Sequence, residues 1–326
     1  MFQIQSFTCE GLRDHLVTDC AAPTFAYFVS SDRAGASIQS AELTVNGWTI
    51  RNPDQCGTRY AGQPLKPFTT YTATLTVTSD SGETDTARLT FETGRMDTPW
   101  QGKWITDGAY VFKEKKVSPV PMVFRKALPL RGEIAQAKLY ATAMGIYELN
   151  IDGQKVGERY FAPGFTSYAH QLMYQTYDVT DMLHSGSCIT ATVAGGWAVG
   201  SFVFTRVNRV TADRQALLAE LRGTTLLLTG DLDGRYELYA ACPADVLKAA
   251  HHGSSGSTSA AMLEAVSPGL VLLSNGRAER FEALSGRCRE IPLMDTRTCG
   301  AIILHIENDG LTVEVMRQAG KDGHGS

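Results

Sequence analysis

The stretch TTYTATLTVTSDSGETDTARLTFETG, residues 69–94, constrains the fold more than any other part of the chain. Tyr71, Ala73, Leu75 and Val77 share one parity and threonines occupy the other, the period-two pattern of a strand with one face buried. Ser81-Gly82 here, and Asn46-Gly47 within AELTVNGWTI, are turn pairs between apolar runs, so the strands are joined as hairpins. Short alternating strands at this spacing predict a β-sandwich over residues 1–97.

The pattern continues in a second β unit over 98–222. Asp152-Gly153 separates YELNI from QKVGE as a tight turn, Pro163-Gly164 breaks the next segment, and a jelly-roll-like sandwich is expected. Asp178 in YDVTDML is placed to cap the N–H groups of a short helical turn. After Arg222 the register changes to an apolar strand LLL, then Thr229-Gly230-Asp231, then DVLKAA running into His251-His252-Gly253-Ser254. STSAAMLEAVSP predicts a helix with Ser257 or Thr258 as N-cap, an apolar face at Ala261, Met262, Ala265 and Val266, and Pro268 as its stop. Strands GLVLLS, AIILHI and LTVEVM follow. Residues 223–318 therefore read as part of an α/β layer, joined near Leu221–Gly223, with 319–326 as a disordered tail. The expected fold class is mainly β.

With 326 residues and 43% hydrophobic content the chain can bury several cores. Its net charge of −4, with the two signs interspersed, offers no field for nucleic acid. No window approaches the ~20 apolar residues of a membrane span, and MFQIQSFTCEGLRDH has neither the basic nor the apolar region of a secretory leader. The expectation is a soluble, cytoplasmic protein. Seven cysteines without C-x-x-C spacing predict buried free thiols rather than disulfides or a zinc knuckle.

Two families are visible in these words. YAGQPLKPFTTYTATLTVTSDSGE with FETG resembles the fibronectin-type-III-like module that opens bacterial α-L-rhamnosidases, and TPWQGKWIT resembles the link that follows it. The run KLYATAMGIYELNIDGQKVGERYFAPGFTSYAHQLMYQTYDVTDML, with GGWAVG, FTRVNR and DRQALLAELR, resembles the N-terminal jelly-roll domain of the same enzymes. LLLTGD and ADVLKAAHHGSS resemble the C-terminal half of a metallo-β-lactamase-fold domain of the ComEC type.

The first resemblance implies a glycoside hydrolase whose acid and base lie in a helical barrel downstream of these modules. Inverting glycosidases need two carboxyl groups about 6.5–9.5 Å apart. No long helical-repeat region occurs here, so Glu148, Asp152, Glu158, Asp178 and Asp181 are read as turn and cap residues. No catalytic residue is expected, and the chain alone should be inactive. The second resemblance puts Asp231 in the place of a bridging metal ligand and His251 or His252 in that of a later one. No H-x-H-x-D-H occurs, and NGRAERFEAL at 275–284 lacks the family's last histidine. Asp231, His251 and His252 thus read as vestigial metal positions or as a plain polar turn, too few for a zinc site needing about three protein ligands. No cofactor is expected unless zinc is completed by another domain.

Trp197 in AGGWAVGSF offers either a flat aromatic face for a sugar ring or a plug at the sandwich edge. Tyr147, Tyr160 and Phe165 have the same two readings, with the core the more frequent place for such residues. Tyr147 and Asp152 join Trp197 as candidate sugar contacts, and a rhamnose-containing glycoside is the candidate partner. The functional expectation is a non-catalytic N-terminal part of an α-L-rhamnosidase-like protein joined to an incomplete ComEC-like domain. The alternatives are a metallo-β-lactamase-fold hydrolase related to the DNA-uptake ComEC family, or a hybrid reading frame with no function as a unit.

Overall fold

A computed structural model describes residues 1–13, 17–109, 118–128, 130, 133–201, 211–307 and 310–316. FTRVNR and the tail 319–326 lie outside the described residues. The chain divides into two compact units, Met1–Pro99 and a second beginning at Trp100.

The first unit contains β1 (Phe2–Cys9), β2 (Val17–Thr18), β3 (Thr24–Ser31), β4 (Ile38–Val45), β5 (Trp48–Arg51), β6 (Thr58–Arg59), β7 (Thr70–Ser79) and β8 (Thr84–Thr93). They form two sheets, β1-β3-β6 and β2-β8-β7-β4-β5. The parity read from the sequence is the parity of burial. Ala73, Leu75 and Val77 of β7 and Leu89 and Phe91 of β8 enter the core with Phe25, Leu43 and Val45. On the outer face, hydroxyl pairs Thr76–Thr86 at 3.0 Å and Thr78–Thr84 at 3.1 Å bridge the strands. Asn46 and Gly47 both have positive φ (46° and 76°), the type I′ geometry that Asn-Gly supplies at little cost.

In the second unit, β9 (Met122–Ala127), β10 (Glu133–Met144), β11 (Ile146–Ile151), β12 (Gln154–Lys155), β13 (Gln175–Asp178), β14 (Cys188–Ala194), α1 (Gly196–Val199) and β15 (Ala216–Leu228) come first. A parallel part follows: α2 (Glu237–Ala240), β16 (Val246–Lys248), α3 (Ala260–Val266), β17 (Leu270–Leu273), α4 (Ala278–Cys288), β18 (Leu293–Asp295) and α5 (Thr296–Cys299). The hairpin of β19 (Ala301–Glu307) and β20 (Gly310–Met316) completes it. The sheet β12-β11-β14-β9 belongs to the jelly-roll part, whose core holds Leu139, Tyr147, Leu149, Ile151, Val179 and Val193.

The larger sheet, β13-β10-β15-β16-β17-β18, runs through both parts of the unit. β15 pairs antiparallel with β10 from Met144↔Ala216 to Glu133↔Leu226, and its last residues pair parallel with β16 from Leu226↔Val246 to Leu228↔Lys248. The junction expected near Leu221–Gly223 therefore falls inside one continuous strand. Beyond it, α3 and α4 alternate with parallel strands over a core of Leu247, Met262, Leu263, Val266, Val271, Leu273 and Leu284.

Local details differ from the sequence reading. Ser259, not Ser257 or Thr258, caps α3 by accepting from Met262 N at 3.1 Å, and Leu263 is buried while Ala261 and Ala265 are exposed. Ser257 and Thr258 are instead buried and bonded to Ala250. NGRAERFEAL carries a helix, α4, whose buried residues are Leu284 and Cys288. AIILHI leaves the sheet for the β19–β20 hairpin, and β18 takes the edge position. All seven cysteines are free thiols, but only Cys9, Cys242 and Cys288 are buried, and Cys56 is exposed.

Candidate functional site

Gly195-Gly196-Trp197-Ala198-Val199-Gly200 turns tightly as β14 ends. Val199 N donates to Gly195 O at 2.9 Å and Gly200 N to Gly196 O at 3.0 Å. Gly196 has φ +49°, and a Cβ there would stand 2.7 Å from Ile146 Cγ2, so backbone and neighbour both require glycine. Ala198 and Val199 are fully buried and anchor the turn, leaving Trp197 half-buried.

Two more aromatic rings meet Trp197. Phe161 lies 6.1 Å away, centroid to centroid and tilted by 67°, and Phe165 lies 6.0 Å away, tilted by 60°. Their side chains are 63% and 59% exposed. Tyr168 buttresses Phe165 edge-on and donates its hydroxyl to Gly164 O at 3.1 Å. Phe161 has φ +56°, unusual for a bulky residue, a conformation of order 1–3 kcal/mol above the ordinary regions and held only by its surroundings.

Those surroundings are built on Tyr147, which is 6% exposed and faces inward with Leu149 and Ile151. It is not a surface group that a sugar could reach. Tyr147 N donates to Ala162 O at 2.8 Å, and its hydroxyl lies 2.8 Å from Gln175 Oε1, 3.1 Å from Ala141 O and 3.1 Å from the Tyr177 hydroxyl. Gln175 Nε2 donates in turn to Pro163 O at 3.0 Å, and Thr142 Oγ1 to Met173 O at 2.7 Å. The loop presenting Phe161 and Phe165 is thus fastened at Ala162, Pro163 and Met173. Burial raises the Tyr147 phenol far above its ordinary pKa, with the charge and hydrogen bond of Tyr177 acting the same way, and burial also raises Tyr177.

Asp152 stands elsewhere. With Gly153 it forms the β11–β12 turn (φ 49° and 87°), accepts from Cys188 N at 2.8 Å, and faces His184 Nε2 at 3.2 Å. The Cys188 amide, the Ser187 hydroxyl, and the His184 and Arg125 charges hold its carboxyl below the usual range, against a smaller opposing effect of burial. Asp152 adjoins the first residue of β14 and Trp197 follows its last. Seven residues of strand separate them, about 20 Å at ~3.3 Å per residue. The structure therefore does not bring Trp197, Tyr147 and Asp152 to one site. Phe165, for which a core position was the more frequent expectation, is 59% exposed and joins Trp197; Phe161 was not among the sequence candidates.

Asp178 accepts from Thr180 N at 3.1 Å and from Thr180 Oγ1 at 2.7 Å at the entry to the helical turn Thr180–Met182, and pairs with Lys138 at 3.1 Å. Glu148 pairs with Lys155 at 3.3 Å. These acids have structural partners.

In the α/β part, Asp231 follows β15 and the histidines follow β16, both with left-handed backbone (φ 47° and 52°). His252 Nε2 lies 3.8 Å from Asp231 Oδ1, and His252 Nδ1 lies 2.8 Å from Ser274 O. Asp231 and one histidine are short of a tetrahedral zinc set, and no cluster of three His, Cys, Asp or Glu occurs among the described residues. The residues present do not fit a zinc centre by themselves. Beside them a cleft of about 750 Å³, lined by His252, Asn275, Thr296, Arg297 and Thr298 among others, opens where the parallel strands end. Arg297 is held 3.5 Å from the buried Asp295 carboxylate.

Comparison with known proteins agrees with this β architecture. Residues 4–97 match the family described as Rha78A-like, N-terminal immunoglobulin domain, and residues 132–227 match the alpha-L-rhamnosidase N-terminal domain. The chain thus carries the N-terminal modules of an alpha-L-rhamnosidase-like protein. An alpha-L-rhamnosidase of Streptomyces avermitilis is 37% identical over 121 residues, 35% of this chain and 12% of the relative. One from Formosa agariphila is 24% identical over 220 residues, 57% of this chain and 23% of its own length. The crystal structure of the Aspergillus terreus enzyme superposes on 69% of this chain and 28% of its own with a TM-score of 0.60 at 24% identity, a likeness of fold. The chain spans less than a quarter of the length of these two bacterial relatives. A competence protein ComA of Neisseria gonorrhoeae is 35% identical over 111 residues, 29% of this chain and 16% of the relative.

Proposed function

We propose that this chain is a non-catalytic, glycan-recognising N-terminal part of an alpha-L-rhamnosidase-like glycoside hydrolase, and that Trp197 contacts a rhamnose-containing glycoside. The observation that carries this reading is the order of the two family matches, 4–97 and then 132–227, each on β architecture of the expected kind. The acids that sequence reading weighed as catalysts support it, since Glu148, Asp152 and Asp178 are held in turns and ion pairs. Tyr147 serves this function by fastening the aromatic loop, and Asp152 by fixing the far turn of β14.

We further propose that residues 223–318 descend from the C-terminal half of a ComEC-type metallo-β-lactamase-fold domain and hold no resident metal. The parallel β16–β18 layer with α3 and α4, the approach of His252 to Asp231, and the likeness to ComA support this. Seven free thiols fit a reducing, cytoplasmic setting. Calorimetric titration tests the main reading: a rhamnose-terminated oligosaccharide is expected to bind, and a glucose-terminated one of equal length is not. Equal heats from both, or none from either, would refute rhamnoside recognition.

A further inference from the structure

The rings of Phe161, Phe165 and Trp197 meet at the surface of the second unit, with two of them more than half exposed. We propose that they form one subsite for the 6-deoxyhexosyl unit of a glycoside, with Phe161 and Phe165 selecting a methyl group at C6 over a hydroxymethyl group. This inference rests on the reading of the modules as rhamnoside-recognising and adds two specificity residues to it.

Three observations lead there. The first is geometry: both phenylalanine rings contact the indole at about 60–67°, so Trp197 is flanked by tilted aromatic surfaces. The C–H face of a pyranose stacks on such a ring while its hydroxyls stay in water. The second is size. Three rings exposed to this degree present roughly 300 Å², from about 200 Å² per aromatic side chain. That falls short of the ~800 Å² per partner of a stable protein interface and suits one sugar.

The third is chemistry. Among the described residues the subsite presents hydrocarbon rings, and the polar groups beneath them are already engaged. The Tyr147 hydroxyl and Gln175 amide bond each other and the loop carbonyls, and Tyr168 bonds Gly164 O. A C6 methyl group would lie against Phe161 or Phe165 at no desolvation cost, whereas a C6 hydroxyl would lose water without gaining a partner from these rings. The strained backbone of Phe161, kept with its ring facing solvent, is accounted for if that ring contacts ligand.

The test compares methyl α-L-rhamnopyranoside with methyl α-L-mannopyranoside, which differ only by the C6 hydroxyl, on the whole chain by saturation-transfer NMR and competition. The rhamnoside is expected to bind about tenfold more tightly, with its C6 methyl protons receiving the strongest transfer. Phe161→Ser with Phe165→Ser, both exposed positions, should weaken rhamnoside binding about tenfold with an unchanged circular dichroism spectrum. Phe161→Gly, which suits the positive φ, is a second variant that keeps the fold and should also weaken binding. Rhamnoside binding that is unaffected by these substitutions, or matched by the mannoside, overturns the aromatic subsite alone. Failure of any rhamnoside to bind the unsubstituted chain overturns both the subsite and the recognition reading beneath it.

Discussion

Removing one oxygen, in Tyr147→Phe, tests whether the loop carrying the aromatic surface is fastened from below. The Tyr147 hydroxyl has one proton, best placed for Gln175 Oε1 at 2.8 Å, and it can accept from Tyr177 at 3.1 Å. Phenylalanine removes both bonds without opening a cavity. The donated bond contributes about 1 kcal/mol, and Gln175 Oε1, in a buried side chain, is left without this donor at a cost of about 1–3 kcal/mol. Tyr177 is only half-buried and its hydroxyl can turn to water. The sum is about 2–4 kcal/mol, a large share of the 5–15 kcal/mol typical of a domain. Urea unfolding followed by circular dichroism should show this loss at unchanged slope. A cycle with Gln175→Leu should give a coupling of about 1 kcal/mol. A loss below about 0.5 kcal/mol, or additive single variants, would show that the Tyr147–Gln175 link does not hold the loop.

Other expectations follow from the same structure. Because burial raises the Tyr147 and Tyr177 phenols above their ordinary values, folding favours the protonated forms. The second unit should keep its stability below about pH 10 and lose it progressively above. Denaturation midpoints from pH 8 to 11 measure this, and Tyr147→Phe should flatten the decline. Amide hydrogen exchange should show protection running unbroken along β15 across Arg222 and Gly223, since pairing with β10 continues through Leu226; protection ending at Arg222 would mean that the α/β part opens independently. Zinc added to the dialysed chain should bind no better than to a surface histidine pair. One stoichiometric zinc lost in His252→Ala would show a completed site.

Much of this fold was legible because local chemistry and tertiary structure agree. Asn46-Gly47 and Asp152-Gly153 adopt the left-handed turns they favour, the threonine-rich strands bury the expected parity, and Asp178 accepts from the first amide of the turn it precedes. The core alternative for Tyr147 is the one the structure adopts, and parity points to it: in YELNI it lies on the same face as Leu149 and Ile151. The aromatic site was legible only in part: Trp197 and Phe165 were weighed singly, but not their meeting with Phe161. Phe161 and Phe165 lie more than thirty residues from Trp197 and reach it only because β11 pairs with β14 while Ala162 bridges to Tyr147. The continuity of β15 was hidden for a similar reason, since the apolar run LLL marks a strand but not which neighbours it pairs with. Asp231 and His252 lie 3.8 Å apart, a proximity between residues 21 positions apart that no local pattern encodes.

The central claim is that this chain recognises rhamnosides without cleaving them. Incubating the purified chain with 4-nitrophenyl α-L-rhamnopyranoside, and following nitrophenolate release, tests it most directly. Release at the rate of buffer alone, from a sample that binds the rhamnoside, is the predicted result. Turnover that persists through purification and disappears on substitution of a single Asp or Glu would contradict it and place a complete acid–base pair within these modules.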